Sequence, residues 1–212
     1  MAQRIIHYLF GEMISKQVEL ADKKRFLLGS IMPDAIEVCD KDKSHFKVRT
    51  DTLVYLDLDA YRNQYFDLMQ KDDLYLGYYM HLVEDSFYRV FVYQDRFTMP
   101  RTLEEVTFLH NDYHILNAYI VGKYDIHNIL EKDTVLNHEP IGGIKNFLIR
   151  ESINKLADEF TEQTQGATVF LTERMLYEFI ETYVPLAIEE VKHLKNGTSI
   201  LRTSEYTWAK RR

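Results

Sequence analysis

Residues 73–91 are apolar at almost every position: Leu74, Leu76, Tyr78, Tyr79, Met80, Leu82, Val83, Phe87, Val90 and Phe91 leave no continuous polar face. A helix that is apolar all round belongs at the centre of a fold, wrapped by other elements. Yet this segment carries His81 and Asp85, four residues apart and so on one face of the helix. Burying a carboxylate without a partner costs several kcal/mol. A divalent cation held by both side chains would supply the compensating charge. A direct buried His–Asp hydrogen bond, or a wetter helix face, is the plainer reading.

The rest of the chain can supply the wrapping. Helical periodicity extends over 3–19, 22–31, 53–69, 101–123, 143–164 and 171–195, with shorter helical pieces near His127. Pro33 ends the second of these, because the residue before a proline is pushed out of the α region. Residues 37–51 read as a polar loop and 197–212 as a non-helical tail. With 4 prolines and 8 glycines in 212 residues, long elements are favoured over a turn-rich β architecture. The expectation is an all-α, single-domain bundle of seven or eight helices over 1–212.

Charge and composition exclude several function classes. A net charge of −7, with Lys210-Arg211-Arg212 the one basic cluster, argues against nucleic-acid binding and against docking on anionic lipid. If the substrate carries phosphate, positive charge must be supplied locally. No apolar run is long enough for a transmembrane helix or a secretory signal. The single cysteine, Cys39, fits a reducing compartment, so cytoplasmic residence is expected. Oligomeric state is not written in these patterns.

Other candidate ligands each read two ways. His110 and His114 repeat the four-residue spacing and form, with Asn117, a polar row beside the stripe Val106, Leu109, Tyr113, Leu116 and Ile120. They either face an interior site or are surface histidines. Asp112 sits on the opposite edge, so a regular helix cannot aim it with both histidines, and the histidine edge is the favoured one. Asp34 is a ligand or a turn residue, and His45 a ligand or a loop histidine. His7 is a ligand or core-edge packing, with Gly11 one turn later. Rival metal patterns fail: none of the 8 histidines is followed by aspartate, as HD-type phosphohydrolases require. Glu190-x-x-His193 is the lone Glu-x-x-His where di-iron bundles use two. P-loop and nucleophile-elbow glycine patterns are absent.

Taken in order, four segments resemble the zinc-dependent phospholipase C family. They are Ile6-His7-Tyr8-Leu9-Phe10-Gly11, Gly29-x-x-x-Pro33-Asp34, His45-Phe46, and Gly77-Tyr78-Tyr79-Met80-His81-Leu82-Val83-Glu84-Asp85. The resemblance spans about the first 90 residues. It implies that Asp34, His45, His81 and Asp85 hold one zinc and that His7 helps hold a second, sharing Asp85. A third family metal uses ligands beyond the central helix. Here Phe91 stands at an expected histidine position, and His110 and His114 are the candidate replacements. Secreted members also use the mature terminal amine, a ligand that a chain without a cleavable leader does not present.

The implied activity is hydrolysis of a small phosphate ester. The implied cofactor is zinc, as two or three ions, with iron or manganese as other divalent choices. The metals would acidify a water for in-line attack on phosphorus, with Asp34 as ligand and general base. The fungal single-strand nucleases are similar in fold, so phosphate-ester chemistry transfers better than any one substrate. Two other readings stay open: a non-catalytic helical protein that retains a structural metal, and a helical scaffold without one.

Overall fold

The computed structural model describes residues 3–91, 102–131 and 136–209. Among them are eight α-helices: α1 (Arg4–Ser15), α2 (Lys23–Ile31), α3 (Lys41–Ser44), α4 (Leu58–Met69), α5 (Asp73–Tyr88), α6 (Leu103–Tyr124), α7 (Ile149–Thr161) and α8 (Glu173–Lys195). A small antiparallel sheet has the order β1 (Lys47–Arg49), β2 (Leu53–Leu56), β3 (Trp208–Ala209). None of these helices is long and apolar enough to cross a membrane.

The helix α5 is the axis of the fold, and every one of its residues is buried. It begins at Asp72, whose side chain accepts from Leu74 N at 3.0 Å and also holds Arg25 of α2 through two bonds of 2.7 and 2.6 Å. That pair aligns the starts of α2 and α5. Two glycines then let the helices touch backbone to backbone. A Cβ on Gly77 would overlap the Phe26 carbonyl, and one on Gly29 would lie 2.8 Å from Tyr78 N. The contact brings the end of α2 beside the middle of α5. Past Ile31 the chain tightens into a 3₁₀ turn, Met32–Asp34, as the proline requires. Beyond Tyr88, α5 runs into a wider π-type turn over 89–91.

Several expected boundaries need correction. Residues 53–56 form a strand rather than the start of a helix. Leu53-Val54-Tyr55-Leu56 alternates exposed and buried positions, and α4 begins only after the Asp57 cap, which accepts from Ala60 N at 2.9 Å. The polar loop 37–51 contains a 3₁₀ turn, α3 and β1, so the fold is mostly but not wholly α. The expected helix at 143–164 begins only at Ile149. Gly142 and Gly143, at φ 59° and 78°, close a tight turn in which Ile141 and Ile144 bond each other at 3.1 and 2.9 Å. Near His127 the chain is not helical. Asp125 ends α6 at φ 47°, and Tyr8 Oη donates to His127 O at 2.7 Å and accepts from Ile129 N at 3.1 Å. The tail holds a 3₁₀ turn, Thr203–Glu205, and the strand β3. The expected helix start at 101 and the basic cluster at 210–212 lie outside the described residues.

Candidate metal centre

Four segments deliver six side chains to one buried spot beside α5. His7 comes from α1, Asp34 from the 3₁₀ turn after α2, His45 from just beyond α3, and His81, Glu84 and Asp85 from α5 itself. All but Asp34 are 1% exposed. They form three overlapping groups whose ligand atoms lie within 4.8 Å of one another: His7–Asp34–His81, His45–His81–Asp85 and His7–Glu84–Asp85. The five residues expected from the four sequence segments are thus brought together. Glu84 is the one that sequence reasoning missed. Its signal was available: a second acidic residue on an apolar helix, three positions after His81.

The ring nitrogens carry the argument. His81 Nδ1 lies 2.7 Å from Ser30 O, and His45 Nδ1 lies 2.9 Å from Lys41 O. A carbonyl can only accept, so a ring with its proton on Nδ1 satisfies each contact and leaves Nε2 free to ligate, with Ser44 Oγ, 2.9 Å from His45 Nδ1, as a second neighbour. Those two Nε2 atoms face each other at 3.2 Å. Two lone pairs at that distance repel unless a proton or a cation stands by them. His45 Nε2 is also 3.4 Å from Asp34 Oδ1 and 3.7 Å from Asp85 Oδ2. Rings oriented by backbone carbonyls, with free nitrogens converging on carboxylates, match the way proteins prepare histidines for metal.

His7 completes the other side. Its ring stacks on His81 with centroids 3.8 Å apart, its Nε2 is 3.5 Å from Asp34 Oδ2, and its Nδ1 lies against Glu84. Charge brings these groups together, but they are not aligned for hydrogen bonding. Among the described residues, both ring nitrogens of His7, both carboxylate oxygens of Glu84 and Asp34 Oδ1 are buried without a hydrogen-bond partner. These atoms face one another as charges without an aligned hydrogen bond, and a bound ion is one of the things that explains such a cluster.

The charges respond to one another. Burial would lower the His7 pKa, but Glu84, Asp34 and Asp85 overrule it and hold it at about 10. Burial, with the neighbouring His7 adding to it, keeps His81 well below its usual range and therefore neutral. Burial raises Glu84. Against the same burial, His45 and His7 keep Asp34 well below the carboxylate range.

The histidines of α6 end elsewhere. Leu109, Tyr113, Leu116 and Ile120 dock that helix, which turns His110 and His114 outwards. Both are exposed, and His114 Nδ1 bonds Glu162 at 2.9 Å. The expectation that they join the ligand set is corrected: they lie outside the three ligand groups. Asp112 is fully buried on the other edge and accepts from Val169, Phe170 and Leu171 N at 2.8, 2.6 and 2.9 Å. It anchors the entry to α8 and lies outside the three ligand groups. Glu190 does similar work, accepting from Ile200 and Leu201 N at 2.8 and 3.2 Å and so fixing the tail.

The site opens through Asp34. A cleft of about 630 Å³ is lined by Asp34, Lys41, Lys47, Arg89, His110 and His114, with Arg4 and Glu159 further along. The histidine row of α6 is therefore a wall of the cleft. No family model matches the chain, and no curated protein and no solved structure matches it either.

Proposed function

We propose that the protein is a metal-dependent hydrolase of phosphate esters, a phospholipase C-like phosphodiesterase in its chemistry. The observation that carries this is the convergence of the His45 and His81 Nε2 atoms, 3.2 Å apart, beside the carboxylates of Asp34 and Asp85. Imidazole and carboxylate donors in this number suit zinc, and also iron or manganese. His45, His81, Asp34 and Asp85 would hold one ion. His7, Glu84 and Asp85 offer donors for a second.

A bound ion supplies a Lewis acid for phosphoryl oxygens and acidifies a water. The chain's own residues do the rest. Asp34, the ligand that reaches the cleft, accepts the proton of the attacking water. Lys41 Nζ, 3.3 Å from Asp34 Oδ1, orients that carboxylate. The cationic rim draws an anionic ester into the cleft against the chain's overall negative charge.

The burial of His45, His81 and Asp85 favours a second reading, a closed structural ion in a non-catalytic protein. One experiment separates the two. The protein is purified without chelator, its metal is measured, and it is assayed with p-nitrophenyl phosphate and bis(p-nitrophenyl) phosphate. At least one ion per chain is expected, with hydrolysis that chelation abolishes and metal restores. Metal-loaded protein that cleaves neither ester leaves the structural reading. Protein that holds no metal and takes up none overturns both.

A further inference from the structure

We propose that Arg4 holds the phosphoryl group of the substrate beside the metal centre, and that Glu159 aims its guanidinium there. This deepens the hydrolase reading and rests on it for the identity of the bound group. Arg4 opens α1, one helical turn before His7, so the two share a face of that helix. That face carries His7 into the ligand cluster. It also sets Arg4 among the residues that line the cleft with Asp34. Arg4 and Asp34 together border a second, narrower recess against α7, so they stand as neighbours. Past Arg4 the cleft adjoins a further hollow of about 440 Å³, with Arg4, His114 and Glu159 common to both. Arg4 is therefore at the waist of the open space, with room for the rest of an ester on either side.

The guanidinium is held in place. The Arg4 side chain is 18% exposed, and its Nη1 lies 3.2 Å from Glu159 Oε1. The other oxygen of Glu159 accepts from Ile5 N at 3.0 Å, which fixes the carboxylate against the first turn of α1. Glu159 is itself buried on α7. The arginine is not fully engaged, since its Nε is buried without a hydrogen-bond partner. A buried donor without an acceptor is costly, and a phosphoryl oxygen in the cleft would supply one. A guanidinium is always charged and meets phosphoryl oxygens with a planar fork. It would add fixed positive charge where the transition state gathers negative charge. Lys41 is a point charge already paired with Asp34 at 3.3 Å. The roles divide accordingly: Asp34 takes the proton, Lys41 orients Asp34, and Arg4 holds the phosphoryl oxygens. The plainer role for Arg4 and Glu159 is a tie between α1 and α7, and the test separates the two.

Inorganic phosphate is titrated calorimetrically into the full-length, metal-loaded protein and its variants, and hydrolysis of bis(p-nitrophenyl) phosphate is measured alongside. Arg4→Gln should weaken phosphate binding and lower kcat/KM by about tenfold or more, as the loss of one or two charged hydrogen bonds would, with metal content unchanged. Arg4→Lys, which keeps the charge without the fork, should recover part of both. Burial already raises the Glu159 carboxyl against the pull of Arg4, so Arg4→Gln leaves a buried acid without its counter-charge. The double variant Arg4→Gln/Glu159→Gln removes that unpaired acid. It should keep its fold and metal and still lack the phosphate affinity. Glu159→Gln alone keeps the guanidinium and should weaken phosphate by only about threefold. Equal losses in Arg4→Gln and Glu159→Gln would mean a merely structural pair and overturn the proposal. So does a double variant that loses its metal, or one that binds phosphate as the parent does. Hydrolysis indifferent to Arg4 would sink this proposal alone. Phosphate binding that needs Arg4, in a protein that cleaves no ester, would support the anion site and remove the hydrolase reading.

Discussion

The helices α5 and α6 each carry a pair of potential ligands four residues apart, His81 with Asp85 and His110 with His114, and the two pairs meet opposite fates. The first is 1% exposed and aimed into a cluster of six side chains that could ligate a metal. The second is exposed on the rim of a cleft. The difference lies in what surrounds each helix. Gly29 and Gly77 let α2 lie directly on α5, and the 3₁₀ turn then places Asp34 within reach. The α6 helix begins with a Thr102–Glu105 capping box and docks by one stripe, so His110 and His114 stay wet while Asn117, further along the row, is buried. Spacing makes a ligand pair possible, and enclosure makes it worth having.

The sharpest way to break this contrast is to remove one member of each pair. Asp85→Asn should lower metal affinity and phosphate-ester hydrolysis by more than about 100-fold, since a neutral amide neither ligates well nor offsets a cation. His114→Ala should change both by less than about threefold, because His114 is exposed and pairs with Glu162, outside the three ligand groups. Metal content and turnover measured side by side decide it, and equal losses would mean that the α6 row is part of the ligand set.

Next in size is the glycine contact itself. Gly77→Ala forces a methyl into the Phe26 carbonyl and should cost more than about 3 kcal/mol, read by chemical denaturation. A variant of ordinary stability would mean that α2 and α5 do not touch backbone to backbone. Smaller is the effect expected at Asp112. Asp112→Asn turns an amide group towards three N–H donors and should destabilise by about 1–3 kcal/mol without altering metal content. Loss of metal in that variant would restore Asp112 as a ligand. The smallest effect has the opposite sign. Gly122 on α6 has open space where a Cβ would go, so Gly122→Ala should stabilise by about 0.5–1 kcal/mol. A destabilised Gly122→Ala would show that the exposed side of α6 packs against something after all.

Much of the candidate site was legible because its parts are local. His81 and Asp85 share a helix face by spacing alone, and Pro33 announces the turn that carries Asp34. Glu84 was passed over because it looks like one more charge on a helix until every face of that helix is known to be buried. The cationic rim was not legible at all. Lys47 reaches the cleft on a strand, in a segment that reads as a polar loop. Arg89 lies 5.5 Å over the ring of Trp208, which lies far along the chain in a tail that reads as structureless. The sheet joining them needs Val54 to pair with Trp208, a register that local patterns cannot announce.

Helical periodicity, caps and breakers reflect interactions within a turn or two of chain, so the sequence alone set the α-rich character and the buried central helix with its His81–Asp85 face, while His7, Asp34 and His45 were expected as ligands through the family resemblance. Burial and charge balance depend on what packs across a helix from elsewhere in the chain. Only the tertiary structure therefore decided that α5 is enclosed and α6 is not, that Glu84 joins His7, and that a ring of cations stands over an acidic site in an acidic protein.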